Sequence, residues 1–445
     1  MRDKHRWRSY LAMVIVAGCG AADSGGHQPI IPGGVDAADT GGRAEDTPQR
    51  TLAARPSATS VGRERNPARP VLDDGGLLPM AGMSTMTDSI RPSAQASKPR
   101  VYQTILVRDR VVPINEGVGR LAFDVPADSL SVTVLVFGNP NAWYGIDQWM
   151  DAEGDDLISA DWVTVPGNEA GCVSCKNYTA QGQSVSATIA PNRPMVAIVP
   201  GEHRIAVVGW LEGFADDTAT IRVIAKRGED WPTEGIIDVN FYFTGAQGWT
   251  AESAPLDPYF QACLDRVRTV YERVGLRLGR LNFQDVDPSL ASVSIAEGDD
   301  RLGGLMAQSN FDMGRGVHIF FVDEILTDDP EYPSIPGVAA AVPAPPGLAG
   351  TMVSGVAIAT RGPLSVIPQN RFLDPPAIGQ TIAHELGHLL GLAHTSEYDG
   401  TTHDGYDDTP ENDNAYLMHA DGTGLLISPQ QVRTLMANPD IVHDE

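Results

Sequence analysis

Residues 384–394 read His384-Glu385-Leu386-Gly387-His388-Leu389-Leu390-Gly391-Leu392-Ala393-His394, and this run constrains the local fold and the chemistry together. Residues four apart on a helix share a face, so a helix here aims the imidazoles of His384 and His388 at one point. Gly391 permits a sharp reversal that a side chain would obstruct, which lets His394 swing back towards the same point. Three converging imidazoles suit Zn2+ and leave a fourth position open, the arrangement of a catalytic rather than a structural ion. Glu385, beside the first ligand, is placed to take a proton from a zinc-activated water and later pass it to a departing amine. At ordinary abundances these five fixed positions coincide in roughly one window in ten million, so chance is a poor explanation. Incidental histidines on a helix would explain a bare HExxH, but they give no reason for Gly391 and His394.

The run resembles the signature of the metzincin clan of zinc metalloproteases, HExxHxxGxxH followed by a methionine-containing turn beneath the metal. Leu417-Met418-His419 is the candidate for that turn. Within the clan, His394-Thr395, then Asp407-Asp408-Thr409-Pro410, Met418 and Pro429-Gln430-Gln431 look like the pappalysin group, over about residues 378–436. There are departures. The paired cysteines common in pappalysin catalytic domains are absent after His394, and Ala420 stands where several members carry a tyrosine near the zinc. Oxyanion stabilisation is therefore left mainly to the metal as Lewis acid. The resemblance implies hydrolysis of peptide bonds in a protein or peptide substrate, with His384, His388 and His394 as metal ligands and Glu385 as general base. It also implies that an extended substrate pairs with an edge strand just before the active helix, here Gly355 to Thr360.

Working outward, Glu397, Asp399, Asp404, Asp407, Asp408, Glu411 and Asp413 crowd the stretch before Met418. Oxygen donors at this density suit Ca2+, but without EF-hand spacing they read equally as a solvated acidic loop. His403 and His419 read as bystanders, because the tight motif already fills the ligand count. Upstream, Ile236 to Phe243, Leu276 to Phe283, Val317 to Val322 and Gly355 to Thr360 read as strands, and Pro258 to Val274 carries apolar residues at helical spacing. This alternation predicts an α/β (α+β) zincin-type catalytic domain with a mixed sheet over residues 229–445. Residues 101–228 show short apolar runs with period two: Val101 to Val107, Val118 to Val125, Leu130 to Phe137, Val185 to Ile189, Met195 to Val199, Arg204 to Leu211 and Thr218 to Ile224. They predict an antiparallel β-sandwich of jelly-roll or immunoglobulin-like type. Trp143, Tyr144, Trp149 and Trp162 fall in an expected loop, where they plug the sandwich end or form a carbohydrate or peptide contact.

The chain begins with Arg2, Lys4, Arg6 and Arg8, then an apolar stretch from Tyr10 to Ala17, so residues 1–18 read as an export signal. Val16-Ala17-Gly18-Cys19 resembles a bacterial lipobox, which implies lipid anchoring through Cys19; Gly20 in place of Asp points to the outer membrane or cell surface. From Gly20 to Arg100 there is no Phe, Trp or Tyr, so 19–100 reads as a disordered tether, a cleaved pro-segment being the alternative. Cys172 and Cys175 form a single CxxC pair in an exported chain, which favours a local disulfide over a zinc ribbon; a thiol capping the zinc in a latent form is a further option. Cys263, in an apolar helical pattern, reads as a buried free thiol. A net charge of -25 argues against nucleic acid as partner. No stretch reaches the roughly 20 apolar residues of a membrane-spanning helix. Two functions follow from these readings. One is a zinc endopeptidase; the alternative is a catalytically inert, zinc-stabilised surface lipoprotein that binds or adheres through its sandwich, against which the intact Glu385 counts.

Overall fold

The structure, a computed structural model, describes residues 102–159, 177, 179–193, 196–210, 217–296, 299–330, 332–362, 373–398 and 400–443. The expected signal, Cys19, the tether, Trp162, Cys172 and Cys175 lie outside these residues. No helix among the described residues is long and apolar enough to cross a membrane.

The first half is built from β1 (Gln103–Ile114), β2 (Val118–Val125), β3 (Ser129–Gly138), β4 (Trp143–Met150), β5 (Asp156–Ile158), β6 (Gly182–Gln183), β7 (Val185–Ala190), β8 (Gly201–Trp210) and β9 (Asp217–Arg227). One sheet runs β1-β9-β3-β7 and the other β2-β8-β4-β5 with β6 beside β4, and every pairing is antiparallel. Period-two alternation is what lets two such sheets share a core. In β2, Leu121, Phe123 and Val125 turn inward while Arg120 and Asp124 face out. They meet Val132, Val134 and Val136 of β3, Ile205 and Val207 of β8, and Ile221 and Val223 of β9. Each such side chain contributes about 1.5–3 kcal/mol when fully buried.

Two sequence expectations change here. The supposed aromatic loop is strand β4, whose alternation is hidden by a register shift between Ile146 and Gln148. Its Trp149 is fully buried and donates its indole N–H to His203 Nδ1 at 3.0 Å, so it is core and not a contact surface. Residues 196–199 are not a strand; the chain enters β8 only at Gly201.

The second half contains β10 (Gly235–Phe243), α1 (Pro258–Tyr271), β11 (Leu276–Asp285), β12 (Ser292–Ser294), α2 (Arg301–Met306), β13 (Val317–Val322), β14 (Glu324–Leu326), β15 (Ser334–Ile335), β16 (Gly337–Ala339), β17 (Val356–Ala359), α3 (Pro375–Leu389), α4 (Pro429–Ala437) and β18 (Ile441–Val442). The main sheet runs β11-β10-β13-β17-β16, parallel through β17, with β16 antiparallel at its end and β18 antiparallel beside the start of β10. A small sheet, β12-β14-β15, lies apart. The main sheet is covered on both faces, which is why β13, VHIFFV, is buried at every residue and apolar but for His318, whose Nδ1 pairs with the Tyr242 hydroxyl. Val317, Ile319 and Phe321 pack with α1 and α3, while Phe320 and Val322 pack with α2. Asp257 caps α1 by accepting from the amides of Tyr259 and Phe260, and Asp374 caps α3 by accepting from Ala377 N–H. Cys263 is the buried free thiol expected, and burial pushes it up to about 12, which leaves it inert. Gly355–Thr360 does not form a sheet edge: β17 lies between β13 and β16, and β16 ends the sheet.

The two halves are joined by buried polar contacts. Lys226 of β9 is 1% exposed and donates to three carbonyls, Met436 O and Asn438 O at 2.7 Å and Ile441 O at 3.0 Å. Ser131 Oγ of β3 donates to Ala437 O, and Tyr406 OH donates to Asn192 O. An ammonium offers three donors, so Lys226 satisfies one carbonyl in the last turn of α4, that of its C-cap Asn438 and that of Ile441 beyond it. Lys226→Met leaves those carbonyls buried without donors and is expected to cost on the order of 3 kcal/mol in urea unfolding. Arg204→Met, at a surface ion pair, should change it by less than about 1 kcal/mol.

Candidate metal centre

Helix α3 is buried at every residue from Ile378 to Leu389, so its polar side chains must find partners inside the protein. His384 and His388 lie one turn apart with Nε2 atoms 3.1 Å from each other. After Leu389 the chain reverses at Gly391, whose φ is +114°. A Cβ there would meet nothing nearer than Thr434 Cγ2 at 3.6 Å, so it is the conformation, not space, that requires glycine. The reversal brings His394 Nε2 to 3.3 Å from His384 Nε2.

The outward nitrogens explain the inward ones. His384 Nδ1 bonds to Leu417 O and His388 Nδ1 to Leu392 O, both at 2.7 Å, and His394 Nδ1 bonds to Glu397 Oε2 at 2.8 Å. Carbonyls and carboxylates only accept, so each Nδ1 carries a proton and each ring turns its Nε2 inward. Burial pushes His384 down to about 3, helped by His394, and pushes His388 well below the ordinary imidazole value. The inward nitrogens of His384 and His388 thus have no proton to share, yet sit 3.1 Å apart. Three nitrogens placed tetrahedrally at zinc-ligand distance from one centre are separated by roughly 3.3 Å, which these positions fit. Among the described residues, these three form the group of side chains able to hold a metal ion.

Glu385, next to His384 on α3, is fully buried, with neither carboxylate oxygen in a hydrogen bond. Burial raises its carboxyl well above the ordinary value, opposed in part by the Ala339 amide. Strand β16 lies directly over it: a Cβ on Gly337 would fall 2.7 Å from both Glu385 Cγ and Oε1. On the opposite side, Met418 is buried with its Sδ 2.4 Å from where a Cβ on Gly387 would sit, so the 417–419 turn fits beneath the helix only because residue 387 lacks a side chain. Met418 O also accepts from Thr395 N–H at 2.8 Å, tying this turn to the segment after His394.

His403 bonds Ser396 Oγ, and His419 Nδ1 lies 3.2 Å from Asp421; neither joins the three imidazoles. Tyr398 hydroxyl donates to Ala420 O. In the acidic segment, Asp404 is 2% exposed, and its Oδ1 accepts from Tyr406 N–H and Thr409 Oγ1. Asp404 Oδ2, Asp408 Oδ1 and Gln430 Oε1 are buried without hydrogen bonds. Burial, with Asp408 adding to it, pushes the Asp404 carboxyl up to about 7, while Arg193 opposes. Asp399 lies outside the described residues.

Sequence reasoning missed β16, too short to show a period, and the outer partners of the imidazoles. Two of those are backbone carbonyls, invisible in any motif. The third, Glu397, carried a signal in standing three residues after His394.

No family model matches this chain, and no characterised protein sequence matches it. Among solved structures, it is similar to metalloproteinase-II from Bacteroides fragilis at 12% identity and a TM-score of 0.30, over 47% of this chain and 55% of that one. It is similar to a family two carbohydrate esterase from Cellvibrio japonicus at 10% identity and a TM-score of 0.15, over 41% and 52%. The chain thus spans about half the length of each. At TM-scores this low, neither likeness carries a fold or an activity across, and the chemistry rests on the side chains themselves. Gly391→Ala should destabilise the protein by about 1–3 kcal/mol, through backbone strain and not collision, as read from thermal unfolding of the metal-free chain.

Proposed function

We propose that this chain is a zinc-dependent endopeptidase of the metzincin type, closest to the pappalysin group. The observation that carries this reading is the convergence of three Nε2 atoms, two of them from a helix that also carries, one residue from the first of them, a buried carboxylate with no hydrogen bond. Three imidazoles with an open fourth direction suit zinc. When bound, the zinc polarises a substrate carbonyl and lowers the pKa of water. His384, His388 and His394 hold the ion, their Nδ1 protons locked outward. Glu385 takes a proton from the attacking water on its free carboxylate and delivers it to the departing amine nitrogen; its raised affinity for a proton suits both steps. An extended peptide would add to the sheet beside β16, its terminal strand, which lies over Glu385; the three residues of β16 are buried, so this pairing needs the covering chain to give way. In this reading the metzincin-like domain spans 229–445 and the sandwich 101–228. The basic start and the Val16-Ala17-Gly18-Cys19 run support export, with Cys19 lipidated at the outer membrane or cell surface and 19–100 as tether.

The test compares the full-length chain with Glu385→Ala for zinc content and cleavage of a denatured protein. Both should hold one zinc, and the variant should lose roughly 10²–10⁴-fold in kcat/KM. A zinc-free wild type, or undiminished cleavage without Glu385, overturns the reading. Zinc in both and cleavage in neither favours the inert binding lipoprotein.

For the acidic segment the alternatives are a Ca2+ site and a solvated loop, and the buried oxygens of Asp404, Asp408 and Gln430 that lack hydrogen bonds are what a test for Ca2+ addresses. Asp404 has its folded-state pKa raised from 3.8 to about 7. The calcium-free folded state therefore binds more protons than the unfolded chain in that window, and this group's contribution to stability falls as pH rises through it. Calcium should raise the melting temperature at pH 8, do so far less at pH 5, and lose the effect in Asp404→Asn.

A further inference from the structure

The three imidazoles are not held alike. His384 and His388 donate to the backbone carbonyls of Leu417 and Leu392, which carry no net charge and cannot be altered by substitution. His394 donates instead to the carboxylate of Glu397. From this asymmetry we infer that Glu397 is the positioning residue of the metal site, orienting His394 and setting how tightly the ion is held. The inference rests on the metal-binding reading above.

Glu397 is held in place from several directions. Its amide donates to Thr402 O at 2.9 Å, and its carbonyl accepts from Gly400 N–H. On one side, Ser396 O accepts from Ala420 N–H and Ser396 Oγ bonds His403 and the Asn412 amide. On the other, Tyr398 hydroxyl donates to Ala420 O at 2.7 Å. The segment carrying Glu397 is therefore fastened to the 417–420 turn, whose Leu417 carbonyl orients His384. Two of the three imidazoles take their orientation from one connected piece of chain. The His394 side chain is 3% exposed, whereas that of Glu397 is 41% exposed. The carboxylate thus bonds inward while it stays partly hydrated, which spares it the full cost of burying a charge.

The electrostatics follow. Three neutral imidazoles bring a divalent ion into a buried site without offsetting its charge. A carboxylate on the far side of one ring makes that ring a stronger donor and supplies negative charge one residue removed from the ion. The outer partners of metal-bound histidines typically change metal affinity by roughly 10–100-fold when removed.

The test measures zinc affinity by competition with a chelating dye on the full-length chain, with Glu397→Gln, Glu397→Ala and Glu397→Asp beside it. Glu411→Gln, an acid of the same stretch that lies 3.6 Å from His403, serves as the charge control. Glu397→Ala should weaken zinc roughly 10–100-fold. Glu397→Gln keeps an acceptor without charge and should fall between it and wild type. The Nδ1 proton of His394, read by nitrogen-coupled NMR of the zinc-loaded protein, should stay slow to exchange in wild type and become fast in Glu397→Ala. Should Glu397→Ala fail to fold, as seen in its metal-free melting temperature, Glu397→Gln decides. Affinity within twofold of wild type for the Gln variant, or an equal loss in Glu411→Gln, overturns the inference and leaves the zinc reading standing. A wild type that takes up no zinc overturns both.

Discussion

Three imidazoles facing one another inside a protein impose a constraint that the surrounding structure has to meet. Each ring has two nitrogens, and a buried nitrogen without a partner costs free energy. Here the Nδ1 atoms are spent on Leu417 O, Leu392 O and Glu397, so the Nε2 atoms have only one another or an ion. Meeting that demand fixes the neighbourhood. Helix α3 must be buried all round so that its histidines are dehydrated and neutral. Residue 387 must be glycine to admit Met418, whose own turn presents Leu417 O. Gly391 must take its positive φ for His394 to return.

The same demand reaches the C-terminal segment and, through it, the sandwich. Asn438 Nδ2 donates to Leu390 O at the end of α3, while Asn438 O accepts from Lys226 in β9. Tyr406 hydroxyl bonds both Thr434 of α4 and Asn192 O on the sandwich side. Helix α4 is fixed at its start by a reciprocal cap between Ser428 and Gln431 and at its end by the lysine. Strands of the first half thus support the helix end from which the His394 turn departs. The first half is part of what holds the site, whatever else its surface does.

Much of this was readable in the residues, and the limits are physical. Runs with a clear period, or with apolar residues packed together, were placed well: Val118 to Val125 and Val317 to Val322 are strands with those bounds, and Pro258 to Val274 holds α1 and the turn that follows it. The three imidazoles were legible because i,i+4 spacing and a glycine reversal are local rules. What failed to show was non-local or periodless. Strand β4 was lost because a bulge breaks its alternation between Ile146 and Gln148. Strand β16 has three residues, too few for any period, so the sheet end was assigned to its neighbour β17. The Lys226 contacts join residues more than 200 apart in sequence, and no pattern around the lysine announces them.

The state of Glu385 is best understood against the care taken elsewhere. Several buried polar side chains of this protein reach partners over long distances: Lys226 has three carbonyls, Trp149 a histidine, Tyr271 the carbonyl of Ala383; Glu385 differs from the other buried atoms without a partner in that both oxygens of one ionisable group are left so. A fully buried carboxylate with neither oxygen in a formed hydrogen bond is costly, and the one backbone group that acts on it, the Ala339 amide, offsets burial only in part. Gly337 leaves room for the carboxylate where any larger residue would press on it. Donors on those oxygens would stabilise the charged form and weaken the group as a base. Stability alone would favour filling the gap; a group that must first accept a proton and then release it is better served by leaving it unfilled.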